Sequence, residues 1–81
     1  MSYNIPEYTR ESIDAYVKHR QPTGGFLTAV LSNNLVEAVG RADEHNINAL
    51  PDIVRYVYNE IPANCWGSPE AVSTWLKGDG Q

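Results

Sequence analysis

The only dense run of positive charge in this sequence, Lys18-His19-Arg20, stands just upstream of Thr23-Gly24-Gly25. Glycines at a helix start let a ligand come close to bare amide donors. Thr23 adds a hydroxyl, and Arg41 adds a guanidinium from further along the chain. Lys18, Arg20, Thr23, Gly24, Gly25 and Arg41 therefore form a candidate site for an anion such as a phosphate or nucleotide. The structural alternative is dipole compensation at one helix end and close packing at the next. Neither a P-loop nor a dinucleotide fingerprint is present.

Asn64-Cys65-Trp66-Gly67-Ser68 is the second feature with chemical content. A tryptophan in a tight loop stacks on a base or anchors an interface, unless it closes a small core. Tyr56 falls off the apolar stripe of its helix and is expected at the surface, so Tyr56 and Trp66 are the candidate stacking or interface pair. Arg41 and Asp43 lie two positions apart, point in different directions on a helix, and must each find a partner elsewhere. Cys65 is the only thiol and has no nearby histidine motif of a cysteine hydrolase. Adjacent carboxylates such as Asp43 and Glu44 diverge on a helix. No catalytic residue is assigned, and the expectation is a protein that is not an enzyme.

Composition narrows the partners. A net charge of -4 argues against general nucleic-acid binding, which needs a basic face to displace counterions. It argues equally against attraction to anionic membranes. No apolar run approaches the roughly 20 residues needed to cross a bilayer, and the N-terminus lacks a signal-peptide pattern. A single unpaired cysteine without an export signal fits a reducing cytoplasm. His19 and His45 are solitary, so neither a metal nor any other cofactor is expected. At 81 residues the chain is expected to be one domain, burying roughly 60 to 65% of its unfolded surface. Cores of this size gain from disulfides, metals or self-association. Only the last remains, and a homo-oligomer is expected.

Prolines and glycines cut the chain into short helical pieces that would position these residues. The first runs from about Pro6 to His19, with Ile13, Tyr16 and Val17 inward and charges that complement the helix dipole. Gln21-Pro22 ends it. Thr23 is expected to cap a second helix from Gly24-Gly25, burying Phe26, Leu27, Val30 and Leu31. Asn33-Asn34 reads as a turn or cap that either separates two helices or bends one. A third segment, Leu35 to about Glu44, would turn Leu35, Ala38, Val39 and Ala42 inward. Asn46-Ile47-Asn48 reads as a connector. Pro51 then sits in the first turn of a fourth helix ending near Glu60, with Ile53, Val54, Val57 and Ile61 as its core stripe. Ser68-Pro69-Glu70 starts a last helix that buries Val72, Trp75 and Leu76. The expected fold is all-α, a compact bundle of about five short helices over residues 1–81, with frayed ends near 1–4 and 78–81.

The string from Pro22-Thr23-Gly24-Gly25-Phe26-Leu27 to Asn34-Leu35, continued by Gly40-Arg41-Ala42-Asp43, Tyr58-Asn59 and Cys65-Trp66-Gly67-Ser68-Pro69-Glu70, resembles a family of small proteins from tailed bacteriophages and prophages. The likeness covers nearly the whole chain. No activity or catalytic residue carries over from that family. It implies a context, a phage accessory protein working in the cytoplasm of a host bacterium. In that context the expected function is non-enzymatic binding that modulates or antagonises a host process, by docking on a host protein or by sequestering an anionic small molecule such as a nucleotide. The alternatives are a small hydrolase using Cys65 and a minor structural or assembly protein of the phage.

Overall fold

The computed structural model describes residues 3–78. Five α-helices and one 3-10 turn follow one another in that span: α1 Glu7–His19, α2 Gly25–Leu31, α3 Leu35–Arg41, α4 Glu44–Glu60, the turn Ala63–Cys65, and α5 Pro69–Lys77. No strand occurs among the described residues, and the expected all-α bundle is the observed one. The core is continuous from Ile13 and Tyr16 of α1 through Leu27 and Leu31 of α2 to Ile53 and Val57 of α4 and Val72 of α5.

The ends of each element show why the chain breaks where it does. Pro6 precedes α1, with Glu7 in the first turn and Lys18 and His19 in the last, so both ends complement the peptide dipoles. Arg20 takes the left-handed conformation that closes α1, at φ 55, a role more usual for glycine. Asn33-Asn34 does separate two helices. Asn33 is left-handed, at φ 63, and the Asn34 side chain accepts the Glu37 amide at 3.2 Å. The Ser68 hydroxyl accepts the Ala71 amide at 3.0 Å, the serine-capped start expected for the last helix.

Four boundaries differ from expectation. Thr23 does not cap α2. Gly24 occupies that position, while the Thr23 and Thr28 hydroxyls pair at 3.0 Å. The third helix stops at Arg41 because the Asp43 carboxylate captures the Asn46 amide at 2.7 Å and starts α4 there. Asn46-Ile47-Asn48 is consequently helical and not a connector. Pro51 lies inside α4, where it forgoes the amide bond to the Ile47 carbonyl and is placed on the exposed side.

Three residues expected in the core, Leu35, Val39 and Val54, are instead exposed. Among α3 residues only Ala38 is buried, because α3 packs chiefly on α2 and nothing in the described chain covers its other side. Of the ends expected to fray, 1–2 and 79–81 lie outside the described residues. Within the described span, the Tyr3 hydroxyl donates to Glu60 at 3.2 Å and the Asn4 amide to Asp52 at 3.1 Å. No described helix is long and apolar enough to cross a membrane.

Candidate functional site

Arg41, in the last turn of α3, lies flat against the start of α2. A Cβ on Gly25 would stand 3.0 Å from its Nη1 and 3.2 Å from its Cδ. The missing side chain is thus what lets the guanidinium rest on the α2 backbone. Arg41 Nε donates to Glu37 Oε1 at 3.2 Å, one helical turn back, in the order that favours such pairs on a helix. This bond fixes the plane of the guanidinium, and its two terminal nitrogens have no hydrogen-bond partner among the described residues.

Open depressions flank this guanidinium. One, of about 470 Å³, carries the hydroxyls of Thr23, Thr28 and Ser32 with the Asn34 amide. The other, of about 360 Å³, is walled by Tyr8, Ser12, Gly24 and Phe26, with Asp43 at its side. Asp43 is already engaged: it accepts the Asn46 amide and, at 2.7 Å, the Tyr8 hydroxyl. These bonds, the backbone one first, hold its carboxyl below the usual range, while donating to that carboxylate raises the pKa of Tyr8. Beneath them the Thr9 hydroxyl donates to Asn46 Oδ1 at 2.7 Å, a buried polar pair joining α1 to α4. That pair fixes the floor on which Tyr8 and Asp43 stand.

Of the six residues in the candidate anion set, Thr23, Gly24, Gly25 and Arg41 come together here, and Lys18 and Arg20 line neither depression. Arg20 points to α5 instead. Its guanidinium sits 3.8 Å from the Trp75 ring centroid, and Nη1 donates to the Trp75 carbonyl at 2.8 Å. Lys18 is exposed at the end of α1.

The aromatic pair divides in the same way. Tyr56, expected at the surface, is only 7% exposed. Tyr3 meets its ring edge-on at 5.3 Å, Arg10 lies 4.8 Å from its centroid, and its hydroxyl donates to Asp14 at 2.8 Å. Burial and the Asp14 carboxylate push its pKa up. The N-terminal segment supplies that cover, which helical periodicity within α4 does not reveal. The exposed tyrosine of α4 is Tyr58, at 72%. It meets Trp66 edge-on at 6.2 Å, beside an apolar groove of about 180 Å³ between α3 and α4.

No family model, curated protein or solved structure matches this chain.

Cys65 is wholly buried, and burial pushes its thiol up, away from the thiolate that nucleophilic chemistry requires. Among the described residues no cluster of three or more His, Cys, Asp or Glu could hold a metal ion. Sequence reasoning overlooked Glu37, although its i,i+4 spacing from Arg41 was available as a signal. It also overlooked Tyr8, whose place beside Asp43 depends on how α1 crosses the start of α4 and leaves no mark in local sequence.

Proposed function

We propose that this chain is a phage-encoded, non-enzymatic binding protein that works in the cytoplasm of an infected bacterium and captures an anionic small molecule, a nucleotide or a close relative, at Arg41. The observation that carries this reading is the guanidinium itself. It is oriented by Glu37, seated on the bare Gly25 backbone, and its terminal nitrogens are free to form the paired bonds that favour phosphate and carboxylate. The Thr23 and Thr28 hydroxyls on one side pair with each other, which leaves at most one of their protons for a further phosphate oxygen. The half-exposed Tyr8 ring on the other gives a base a face on which to stack.

Glu37 and Asp43 temper the site's positive potential, but each carboxylate is already occupied by a donor of this chain. The buried, proton-retaining Cys65 supports binding over turnover. The likeness to phage proteins in the segments around Gly24-Gly25 and Trp66 supports the setting, in which a small protein acts stoichiometrically by sequestering its ligand from a host process. Docking on a host protein is the alternative mode, and it would use the apolar face around Tyr58 and Trp66.

Calorimetry with a panel of linear and cyclic nucleotides tests the reading. Saturable binding of at least one is expected. Arg41→Ala should weaken it by about tenfold or more, the loss of one or two charge-assisted hydrogen bonds. Arg20→Ala should leave it unchanged. Absence of heat with every nucleotide, or equal affinity in Arg41→Ala, would sink the proposal.

A further inference from the structure

The side of α3 opposite Arg41 has a different character. Positions 35, 36, 39 and 40 share it, while Glu37 and Arg41 occupy the other flank. Leu35 is 62% exposed and Val36 85%. Across the adjoining groove, Val54 and Tyr58 of α4 are also exposed, and Trp66 closes the end. No charged residue lines that groove. We infer that this face is a two-fold interface between two copies of this chain, the Val36–Val39 ridge of each seated in the α3–α4 groove of the other.

Size comes first. Leu35, Val36, Val39, Val54 and Tyr58 are all exposed on this face and together present on the order of 500 Å², the size of the largest apolar patch on a typical monomer, which is often a functional one. That is more than half of the ~800 Å² per partner that a stable protein interface buries. Shape is the second argument. A projecting ridge lies directly beside a groove of matching apolar character, the self-complementary arrangement that a two-fold axis requires.

Gly40 is the third. It sits in the last turn of α3, although glycine is a poorer helix former than alanine. Yet a Cβ there would meet nothing within 4 Å in its own chain. Nothing in the monomer calls for a glycine at this position, whereas a second helix crossing closely over Val36 and Gly40 would. Persistence is the fourth. A helix of seven residues that buries one side chain in its own chain is far below the length that is stable alone. Its exposed side needs a cover that is always present, and a second copy accompanies every folded chain.

Sedimentation velocity over a concentration series tests the inference, which stands independently of the nucleotide reading. The full chain is expected at twice its own mass, with a melting temperature that rises with protein concentration. Val36→Glu should return it to single-chain mass with its helical circular dichroism intact, because position 36 touches little in the monomer. Gly40→Ala supplies a second reading should Val36→Glu fail to fold. It should raise helix propensity and yet weaken association by about tenfold, one lost close contact. Single-chain mass for the parent protein at every concentration overturns the inference. So does parental mass in folded Val36→Glu, or unimpaired association in Gly40→Ala. A parent chain that gains mass only with an added host protein overturns it as well, and assigns the face to that partner.

Discussion

Trp75 donates its indole N–H to the Tyr16 carbonyl at 2.9 Å, and its ring lies beneath Arg20. Trp66 keeps a buried indole N–H that has no partner among the described residues, and its ring meets exposed Tyr58 beside an open groove. Around Trp75 the polar groups are closed on one another. The Tyr16 hydroxyl donates to the Cys65 carbonyl at 2.6 Å, and Arg20 donates to the Trp75 carbonyl. Around Trp66 the apolar side chains of Leu35, Val54 and Tyr58 stay exposed. Buried polar groups in stable cores are almost always satisfied. The difference separates a seam that holds the monomer together from a surface whose surroundings the monomer does not complete.

The sharpest way to break that contrast is to truncate one apolar side chain on each side. Ile13 is wholly buried on the closed side, and Ile13→Ala should cost about 2–5 kcal/mol, the lost transfer energy plus the cavity left behind. Val36→Ala, measured where the protein is dilute enough to be monomeric, should fall within about 0.5 kcal/mol of the parent. Urea unfolding followed by circular dichroism measures both. Comparable losses at the two positions would mean that α3 is more deeply packed than its exposure indicates.

A smaller effect isolates one bond of the closed side. Tyr16→Phe keeps the ring and removes the hydroxyl, stranding the buried Cys65 carbonyl at a cost of about 1–3 kcal/mol. The same phenol has its pKa pushed up from 10.0 to about 12, chiefly by burial and secondarily by Cys65. The folded state therefore keeps a proton that the unfolded chain has released. The stability tied to this group is complete below pH 10.0 and is lost as pH rises towards about 12. An alkaline titration of the urea midpoint should show that decline in the parent protein and a shallower one in Tyr16→Phe. Matching alkaline limbs would place the titration elsewhere.

How far these regions could be read from sequence follows the same division. Periodicity identified Ile13, Tyr16, Leu31, Ile53 and Val57 as core, because those positions face the centre of the bundle whatever the path of the loops. It misplaced Leu35, Val39 and Val54. Spacing of three and four marks an apolar stripe but does not say whether the same chain covers it. The Ser68 and Asn34 caps were legible, being local hydrogen bonds between residues three apart. Asp43 was not recognised as a cap, and that single omission moved the start of α4 and the place of Pro51. For the candidate site, Gly25 and Arg41 were both picked out, but their direct contact is tertiary. Arg20 was grouped with them by sequence proximity alone, and the fold sends it to Trp75.

Arg20 and Arg41 can be set against each other. Arg20→Ala removes a cation–π contact and a hydrogen bond to a backbone carbonyl, and should lower stability by about 1–2 kcal/mol while nucleotide binding persists. Arg41→Ala should do the reverse: its ion pair with Glu37 is between exposed side chains, and such pairs contribute about 0–1 kcal/mol. Thermal unfolding and calorimetry on the two variants give a crossed result if one arginine is structural and the other functional. A stability loss at Arg41 equal to that at Arg20 would make both structural.

The smallest expected effect lies at the boundary between the regions, where Asp43 starts α4 and holds Tyr8 beside Arg41. Its carboxyl is held below its usual 3.8, first by the Asn46 amide and then by the Tyr8 hydroxyl. As pH falls, the unfolded chain takes up the proton before the folded one. The associated stability is therefore present above pH 3.8 and drains away as pH drops through the lower folded value. An asparagine side chain at this position would still cap the helix but has no proton to exchange. Asp43→Asn should accordingly flatten the acid limb of a urea midpoint titration without abolishing α4. An unchanged limb would assign acid sensitivity to other carboxylates. The capping bond of Asp43 would then stand apart from its charge, and Tyr8 would be held by geometry alone.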